Sequence, residues 1–216
     1  MKTLKEQTEA KVEAGRKANP SFMTGVDAEI AKANEFEEGK HALKVGQQAM
    51  LFELPNQEGK SISLNSLLES GPVILSFYRG DWCPYCNLQL RALQERLSEI
   101  KALGATLVAI SPQVPDDSLT KNEISNMNFT VLSDQNATVA SKYGVAWKVP
   151  EFLLNHMRVD RNLDLAQINN GNAAILPIPA TFILDKKGTV VWTYVNVDYR
   201  TRSEPEEIIK ELQKLS

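Results

Sequence analysis

Two cysteines separated by two residues constrain this chain more than any other feature. Cys83 and Cys86 are the only cysteines among the 216 residues. The apolar run Val73–Tyr78 before them is typical of a buried strand, and the residues from Asn87 to about Leu103 have helical spacing. The pair is therefore predicted at a strand-to-helix turn. Free backbone N–H groups and the helix dipole stabilise a thiolate at such a position.

Two roles other than redox chemistry are open for this cysteine pair. A disulfide across so short a loop would constrain the unfolded chain little, which argues against a purely structural bridge. A zinc site would need two further ligands, and the histidines His41 and His156 lie far apart without ligand spacing. The pattern favours a redox-active dithiol, with neither a metal nor a cofactor.

Composition argues against several classes of partner. The net charge is −3 and the basic residues are interspersed with acids, which gives no indication of nucleic-acid binding. No apolar run approaches the roughly 18 residues that a membrane span requires. The first residues lack the apolar core of a signal peptide, so a cytoplasmic location is predicted. In that compartment a CxxC pair is more often catalytic or metal-binding than structural.

The first 44 residues differ in character from the rest of the chain. Lys2–Arg16 and Asp27–Glu38 are predicted as two helices, and their apolar positions are too sparse for either helix to be stable alone. Two roles are open for them: a solvated extension that packs weakly on the main domain, or a dimerisation or capping element. The predicted boundaries are 1–44 for this helical extension and 45–216 for the main domain.

Beyond residue 45 the predicted strands and helices alternate, which is typical of parallel strand pairing. Ala49–Leu54 and Ser61–Leu64 are predicted as a hairpin, and Ala180–Leu184 is predicted to pair with Thr189–Val195 across a turn. One edge of the sheet is therefore expected to be antiparallel. The predicted fold class is α/β, with a central mixed sheet flanked by helices.

The remaining predicted elements follow the same periodicity rules. The last helix is predicted to begin with a capping box, with Ser203 as N-cap and Glu206 at the third helical position. The other predictions are strands at Ala105–Ile110 and Phe129–Leu132, helices at Asp116–Met127, Asn136–Tyr143 and Glu151–Arg161, and a loop at Gln167–Asn172.

The dithiol supports two reactions and one regulatory role. A CxxC pair at a helix start is typical of a thioredoxin-like redox motif, and a thiolate there can attack a disulfide or a peroxide oxygen. Cys86 lies one helical turn after Cys83, so an intramolecular disulfide can form, which an external thiol must then reduce. The residues alone leave open peroxide reduction, thiol–disulfide exchange and a redox sensor whose partner binding changes with the disulfide.

Three residues around the cysteines are candidates for supporting roles. Arg79 precedes the turn and is either a cation that lowers a cysteine pKa and orients a peroxide oxygen, or an ordinary surface arginine. Trp82 is either a partly exposed wall beside the site or a packing residue. Pro84 lies between the two cysteines and is included among the supporting residues.

Several segments carry a resemblance to a known family. Four segments match sequences that the family has at the corresponding positions: Val45–Leu54, Val108–Pro112, Leu132–Asp134 and Pro179–Asp185. From about residue 45 onwards, the sequence resembles the alkyl hydroperoxide reductase/thiol-specific antioxidant group of peroxiredoxin-like proteins, which have a thioredoxin fold. The resemblance implies a thiol peroxidase that reduces hydroperoxides with electrons from a thioredoxin- or glutathione-type reductant. It leaves a disulfide substrate and a homodimeric assembly open.

The sequence departs from the resembled family around the cysteines. Registering Tyr78 with the family places Arg79 at the proline and Cys83 at the threonine of the PxxxTxxC pattern, so the peroxidatic cysteine falls on Cys86. In the thioredoxin register the exposed nucleophile would instead be Cys83. The peroxiredoxin register is favoured over the thioredoxin register, because the resemblance to peroxiredoxins covers a greater length of the chain.

Two further positions follow from the same resemblance. Pro179 looks like the thioredoxin-fold cis-proline, so a cis bond is predicted there. The later arginine that binds peroxide in the family also falls on Pro179, which leaves Arg79 or Arg202 as candidate substitutes.

Overall fold

The computed structural model describes residues 2–114 and 127–215, in which helices and strands alternate after two N-terminal helices. In the first half, the elements are α1 (Leu4–Ala18), α2 (Pro20–Glu35), β1 (Glu53–Pro55), β2 (Ser61–Ser63), α3 (Leu64–Ser70), β3 (Val73–Phe77), α4 (Pro84–Glu95), α5 (Leu97–Ala102) and β4 (Thr106–Ser111). In the second half they are β5 (Thr130–Ser133), α6 (Thr138–Lys142), β6 (Ala146–Lys148), α7 (Glu151–Asn155), a π-helix (His156–Asp160), α8 (Leu165–Ile168), β7 (Ile175–Pro177), β8 (Ala180–Leu184), β9 (Val190–Val195) and α9 (Pro205–Gln213).

A five-stranded mixed sheet forms the centre of the fold. Its strand order is β5-β4-β3-β8-β9. The pairs β3–β4 and β4–β5 are parallel, whereas β3–β8 and β8–β9 are antiparallel. Every residue of β3 and β8 is buried, because both faces of the sheet are covered at its centre. The predicted mixed sheet and its antiparallel edge are confirmed.

The central strand β3 delivers the cysteines to one end of the sheet. The chain leaves the sheet at Phe77, turns, and enters α4 at Pro84 with Cys83 as N-cap. Proline suits the first helical position because its fixed φ is already helical and its missing N–H would have no partner there. The predicted strand-to-helix turn is confirmed, although the helix begins three residues earlier than the predicted Asn87.

The second N-terminal helix is longer than predicted. It begins at Pro20 rather than at Asp27, and the Asn19 side chain accepts a hydrogen bond of 3.1 Å from the Phe22 backbone N–H. Asparagine as N-cap and proline at the first helical position start a helix, whereas the prediction treated this pair as a break. Both N-terminal helices pack on the rest of the chain and bury Leu4, Met23, Val26 and Ile30, among others.

The predicted capping box of the last helix is wrong. Helix α9 begins at Pro205 with Glu204 as N-cap. Ser203 is fully buried and its hydroxyl bonds to Thr181 Oγ1 at 2.9 Å, so it is committed to a tertiary contact. The Glu204 carboxylate instead accepts hydrogen bonds from the backbone N–H groups of Leu4 and Lys5, at 3.2 and 2.6 Å, at the start of α1.

The cis bond predicted before Pro179 is also wrong, because every peptide bond in the described residues is trans. The chain runs from β7 into β8 across this position, and the Ile178 N–H donates to the Val145 carbonyl at 2.7 Å. The trans form is the default for proline, with only about 5% cis in folded proteins.

Other predictions differ in detail. The predicted helix Glu151–Arg161 ends as an α-helix at Asn155 and continues as the π-helix. The predicted loop Gln167–Asn172 overlaps α8, whose start is capped by the Asp164 side chain. The predicted helix Asp116–Met127 lies outside the described residues except for its last position. Each helix that the structure describes is too short or too polar to cross a bilayer.

Candidate functional site

The two cysteines lie at the start of α4 as a buried pair of free thiols. Cys83 is the N-cap and Cys86 lies in the first turn. Their exposed fractions are only 1% and 0%. Because positions i and i+3 share one helix face, the two sulfurs face each other across a single turn. No group of three or more His, Cys, Asp or Glu side chains among the described residues is placed to hold a metal ion.

The environment makes the two thiols chemically different. Burial acts to raise the pKa of Cys83, but the Cys86 thiol that donates to it and the charges of Arg79 and Arg202 hold that pKa well below its usual value. Burial, the hydrogen bond to Cys83 and the charge of Cys83 raise the pKa of Cys86 well above its usual value. Of the two thiols, Cys83 is therefore the more acidic and Cys86 the less acidic.

Arg79 is a buried cation, so the surface alternative is wrong. Its exposed fraction is 3%. The guanidinium carbon lies 5.0 Å from the ring centroid of Trp82 and 4.2 Å from that of Tyr199. Its Nε and Nη2 atoms are buried without a hydrogen-bond partner among the described residues. Two aromatic faces thus hold the cation while N–H groups remain available for a ligand.

Arg202 contacts the second cysteine. Its Nη2 atom donates to Cys86 Sγ at 3.1 Å. Its Nη1 atom donates to the carbonyls of Tyr199 and Thr201, the latter at 2.6 Å, which fixes the guanidinium in place. Of the two arginines considered as substitutes, Arg202 thus faces Cys86 and Arg79 lies beside Trp82.

Trp82 is half-buried and covers the turn before α4. The turn can take this shape because Gly80 has a φ of 146° and a Cβ there would lie 2.3 Å from Trp82 Nε1. Trp82 and Pro84 both line a cavity that opens on Cys83. Pro179 is buried next to Ala180, which pairs with Phe77 at the end of β3, but it does not line this cavity.

The cavity over Cys83 has a volume of about 450 Å³, and besides the predicted Arg79, Trp82 and Pro84 it is lined by residues that the sequence does not predict. Helices α1 and α2 supply one wall, which includes Phe22 and Met23. The π-helix region supplies another, which includes His156, whose ring stacks on Phe22 with centroids 3.7 Å apart. The sequence gives one indication of this wall: Phe22 and Met23 are bulky apolar residues within a largely polar helical segment.

The N-terminal helices are fastened to the segment that carries Arg202. Asp27 on α2 bridges Arg16 and Arg200, with distances of 2.7 and 2.8 Å. Arg200 is also held by Asp198 at 2.8 Å. Since Arg200 lies two residues from Arg202, these contacts tie the cavity wall to the cysteine site.

The sheet and its flanking helices define a thioredoxin fold of the peroxiredoxin type, as predicted. The AhpC/TSA family model matches residues 45–193, and the chain belongs to this family. The match begins after α1 and α2, so both helices lie outside it.

Named relatives are peroxiredoxins. The chain is 29% identical over 159 residues to "Putative peroxiredoxin bcp" of Coxiella burnetii, covering 73% of this chain and 93% of the relative. It is 30% identical over 170 residues to chloroplastic "Peroxiredoxin Q" of Populus jackii, covering 79% and 68%. The crystal structure of peroxidoxin BcpB from Mycobacterium tuberculosis has the same fold, with a TM-score of 0.62 and 22% identity over 81% of this chain and 99% of that one.

Proposed function

We propose that this protein is a thiol peroxidase that reduces hydroperoxides through a dithiol–disulfide cycle of Cys83 and Cys86. Membership of the AhpC/TSA family and the peroxiredoxin relatives support the peroxidase class. The observation that carries the assignment to these residues is the geometry of the pair, in which Cys83 lines a cavity and Cys86 lies one helical turn behind it, beside Arg202.

Cys83 is the residue proposed to attack first. It lines the cavity, whereas Cys86 does not. The pKa of Cys83 is lowered and that of Cys86 is raised, and the thiolate is the nucleophile. This order reverses the one that the family register favours, which assigns the attack to Cys86.

The cycle balances with an external thiol as reductant. The Cys83 thiolate attacks the terminal peroxide oxygen, the O–O bond breaks, and Cys83 becomes a sulfenic acid, while the alkoxide leaves and takes a proton from water to become the alcohol. The Cys86 thiol attacks that sulfur, a disulfide forms, and water leaves. Two donor thiols then reduce the disulfide and are themselves joined as a disulfide.

Arg79 and Arg202 have separate roles in this scheme. Arg79 stabilises the Cys83 thiolate, and its unpartnered N–H groups are available to the peroxide oxygen. Arg202 faces Cys86 and stabilises negative charge on its sulfur when the disulfide is later opened. The cycle requires a reducing compartment, which supports the proposal of a cytoplasmic location. The homodimer remains a prediction.

Thiol–disulfide exchange is the second candidate function, because a nucleophilic first cysteine at the helix N-cap is the thioredoxin arrangement.

One experiment separates the two functions. Reduced protein should be offered hydrogen peroxide, cumene hydroperoxide and an insulin-type disulfide side by side, with thiol loss followed over time. We expect thiol loss with the peroxides at least about tenfold faster than with insulin, a difference of about 1.4 kcal/mol in activation free energy. Faster reaction with insulin would move the protein to the exchange class.

A further inference from the structure

The cavity over Cys83 is much larger than a peroxide group requires. Its volume of about 450 Å³ lies in the range of small-molecule sites, whereas a water molecule occupies about 30 Å³ in the liquid. Both walls carry large apolar side chains, Phe22 and Met23 on one and Met157 on the other. A ligand with an organic body of several atoms would therefore fill it.

The charges around this cavity have one sign. Lys11, Arg79 and Arg161 line it, and no Asp or Glu among the described residues does. Lys11 and Arg161 are exposed at the rim, whereas Arg79 is buried at the base. A cavity with apolar side chains on both walls and three cations fits a small organic anion.

Arg79 provides an independent indication of an anionic ligand. Its Nε and Nη2 N–H groups are buried and lack a partner among the described residues. A buried donor without a partner is costly, and a guanidinium edge matches the two oxygens of a carboxylate. When Cys83 is oxidised to the disulfide, its sulfur no longer carries a charge, and Arg79 is then free to bind another anion.

Access to the sulfurs limits the electron donor. Cys83 and Cys86 are both at most 1% exposed, and α1 and α2 form part of the wall over them. A protein thiol would have to displace this wall to reach Cys83, whereas a small thiol can enter the cavity. The wall lies outside the residues 45–193 that match the family, so it belongs to this chain's own helical segment.

We propose that the cavity binds a low-molecular-weight thiol carrying a carboxylate, and that this thiol, rather than a protein, reduces the Cys83–Cys86 disulfide. The donor sulfur attacks Cys83 Sγ, the S–S bond breaks, and the electron pair leaves on Cys86 Sγ beside Arg202. A second donor thiol attacks the mixed disulfide, releases the Cys83 thiolate and the donor disulfide, and yields its proton to Cys86. The inference rests on the proposed dithiol cycle.

The test measures reduction of the isolated disulfide form in a single turnover. The disulfide is made in two ways, with peroxide and with diamide, and is reduced by 3-mercaptopropionate, 2-mercaptoethanol, cysteamine or a thioredoxin. Each variant's rate is divided by the wild-type rate for the same thiol, so intrinsic thiol reactivity cancels. Lys11→Ala and Arg161→Ala should each slow reduction by 3-mercaptopropionate about three- to fivefold, as expected for loss of a partly exposed ion pair between the cation and the carboxylate of the thiol. Lys11→Ala should leave the rate with 2-mercaptoethanol unchanged and should not slow cysteamine. Arg161→Ala also removes a hydrogen bond to the Trp82 carbonyl, so for this variant the slowing with 3-mercaptopropionate should exceed that with 2-mercaptoethanol.

Matched controls are available on the same elements. Lys17→Ala on α1 and Arg158→Ala on the π-helix remove cations that pair with Glu13 and Glu151 and do not line the cavity. The disulfide forms of these two variants should be reduced by every thiol at the wild-type rate. The wild-type disulfide should also be reduced by the thioredoxin more slowly than by 3-mercaptopropionate at equal thiol concentration.

Three results would overturn the inference. Equal slowing with all three small thiols would mean that the cavity does not select a carboxylate, and faster reduction by the thioredoxin would make the donor a protein. If Lys11→Ala slows oxidation by a fatty-acid hydroperoxide but not reduction by 3-mercaptopropionate, the carboxylate belongs to the peroxide. A protein that diamide oxidises and peroxide does not would reject the peroxidase proposal, while the reduction assay remains readable.

Discussion

At the residue scale, two buried arginines give neighbouring cysteines opposite character. Arg79 lies between two aromatic rings and lowers the pKa of Cys83, while Arg202 donates a hydrogen bond to Cys86. Burial, the hydrogen bond to Cys83 and the charge of Cys83 in turn raise the pKa of Cys86. Once Cys83 enters a disulfide, that charge is gone and Arg202 can stabilise the Cys86 thiolate as the leaving group.

The first prediction concerns the order of attack. Cys83→Ser should consume no peroxide, because Cys86 is fully buried and does not line the cavity through which a peroxide would enter. Cys86→Ser should consume one peroxide per chain and stop with one added oxygen on Cys83, detected by intact mass and by a sulfenic-acid probe. If Cys83→Ser consumes peroxide and Cys86→Ser does not, the family register is correct and Cys86 is the peroxidatic residue.

The second prediction concerns Arg79. Arg79→Ala should raise the pKa of Cys83, because it removes a positive charge that lowers that pKa. Below its pKa a thiol loses about tenfold in thiolate for each unit of pKa increase, so the rate with peroxide should fall more at about pH 6 than at about pH 9. Thiolate absorbance against pH measures the pKa, and stopped-flow tryptophan fluorescence, to which Trp82 beside the cysteines contributes, measures the rate.

The control for Arg79 separates charge from substrate orientation. Arg79→Lys keeps the charge and loses the two-pronged guanidinium edge, so it should restore the pKa but not the full rate. Equal slowing of Arg79→Ala at both pH values would mean that Arg79 orients the peroxide instead. An unchanged rate would remove Arg79 from the site.

The residue types at the site were predictable, but their surroundings were not. The spacing of Cys83 and Cys86 and the apolar strand before them specify a dithiol at a helix start. Whether Arg79 is buried depends on Tyr199, which is distant in sequence and supplies one of its two aromatic faces. The trans bond at Pro179 follows the general preference of proline rather than the family pattern.

At the element scale, α1 and α2 are fixed to the 198–204 segment at two points. Asp27 on α2 pairs with Arg200, and Glu204 accepts from the first backbone N–H groups of α1. Carboxylates at a helix N-terminus satisfy N–H groups that have no partner within the helix. The sequence suggested an extension that packs only weakly on the main domain. It could not indicate these contacts, because their partners lie about 170 to 200 residues away along the chain.

The third prediction tests the Asp27 anchor. The Arg16 side chain, which binds Asp27, and Arg200 lower the pKa of Asp27. Its stabilising contribution is therefore complete above the unfolded value of 3.8 and is lost as the pH falls through the lower folded value. Asp27→Asn should lower the free energy of unfolding at neutral pH by about 0.5–1 kcal/mol, since the pair is partly solvent-screened.

Urea unfolding at neutral pH and at about pH 3 measures this effect, and the difference between variant and wild type should shrink at the acidic pH. Glu9→Gln is the control, because its exposed pair with Lys5 at 3.8 Å should contribute nothing measurable. A difference that grows on acidification would contradict the ion-pair account.

The fourth prediction tests the packing of α2 on α7. A Cβ at Gly25 would lie 2.3 Å from Phe152 Cζ. Because Phe152 is 41% exposed and its ring can turn aside, Gly25→Ala should destabilise the protein by about 1 kcal/mol or less through overpacking. In a Phe152→Ala background the clash is absent, and the same change should stabilise it by up to about 1 kcal/mol through helix propensity. The same sign in both backgrounds, measured by urea unfolding, would show that the helices do not pack this way.

Element boundaries were predicted where local sequence decides them. The apolar runs of β3 and β4 and the hairpin turn identify strands without reference to the rest of the chain. The start of α2 at Pro20 also had a local signal, the Asn-Pro pair, which was interpreted as a break. The start of α9 also had a local signal, Pro205 at the first helical position, but the capping-box pattern points to Ser203, which a tertiary hydrogen bond to Thr181 removes from the cap.

At the scale of the whole molecule, helices outside the part of the chain that matches the family form one wall of the cavity over Cys83. The matched residues 45–193 contain the sheet and the dithiol, and the helices before residue 44 complete the cavity. The α/β class and the thioredoxin fold were predictable because alternating elements and family segments specify them. The cavity was not, because it depends on how distant segments pack. The division at residue 44 remains a prediction.

The fifth prediction is the most direct test of the proposed cycle. Reduced wild-type protein is mixed with one equivalent of hydrogen peroxide, alkylated, digested and analysed by mass spectrometry. The cycle predicts loss of both thiols and a peptide containing an intact Cys83–Cys86 disulfide, because the two sulfurs lie one helical turn apart. Two alkylated cysteines after complete consumption of the peroxide, or a disulfide only between chains, would contradict it.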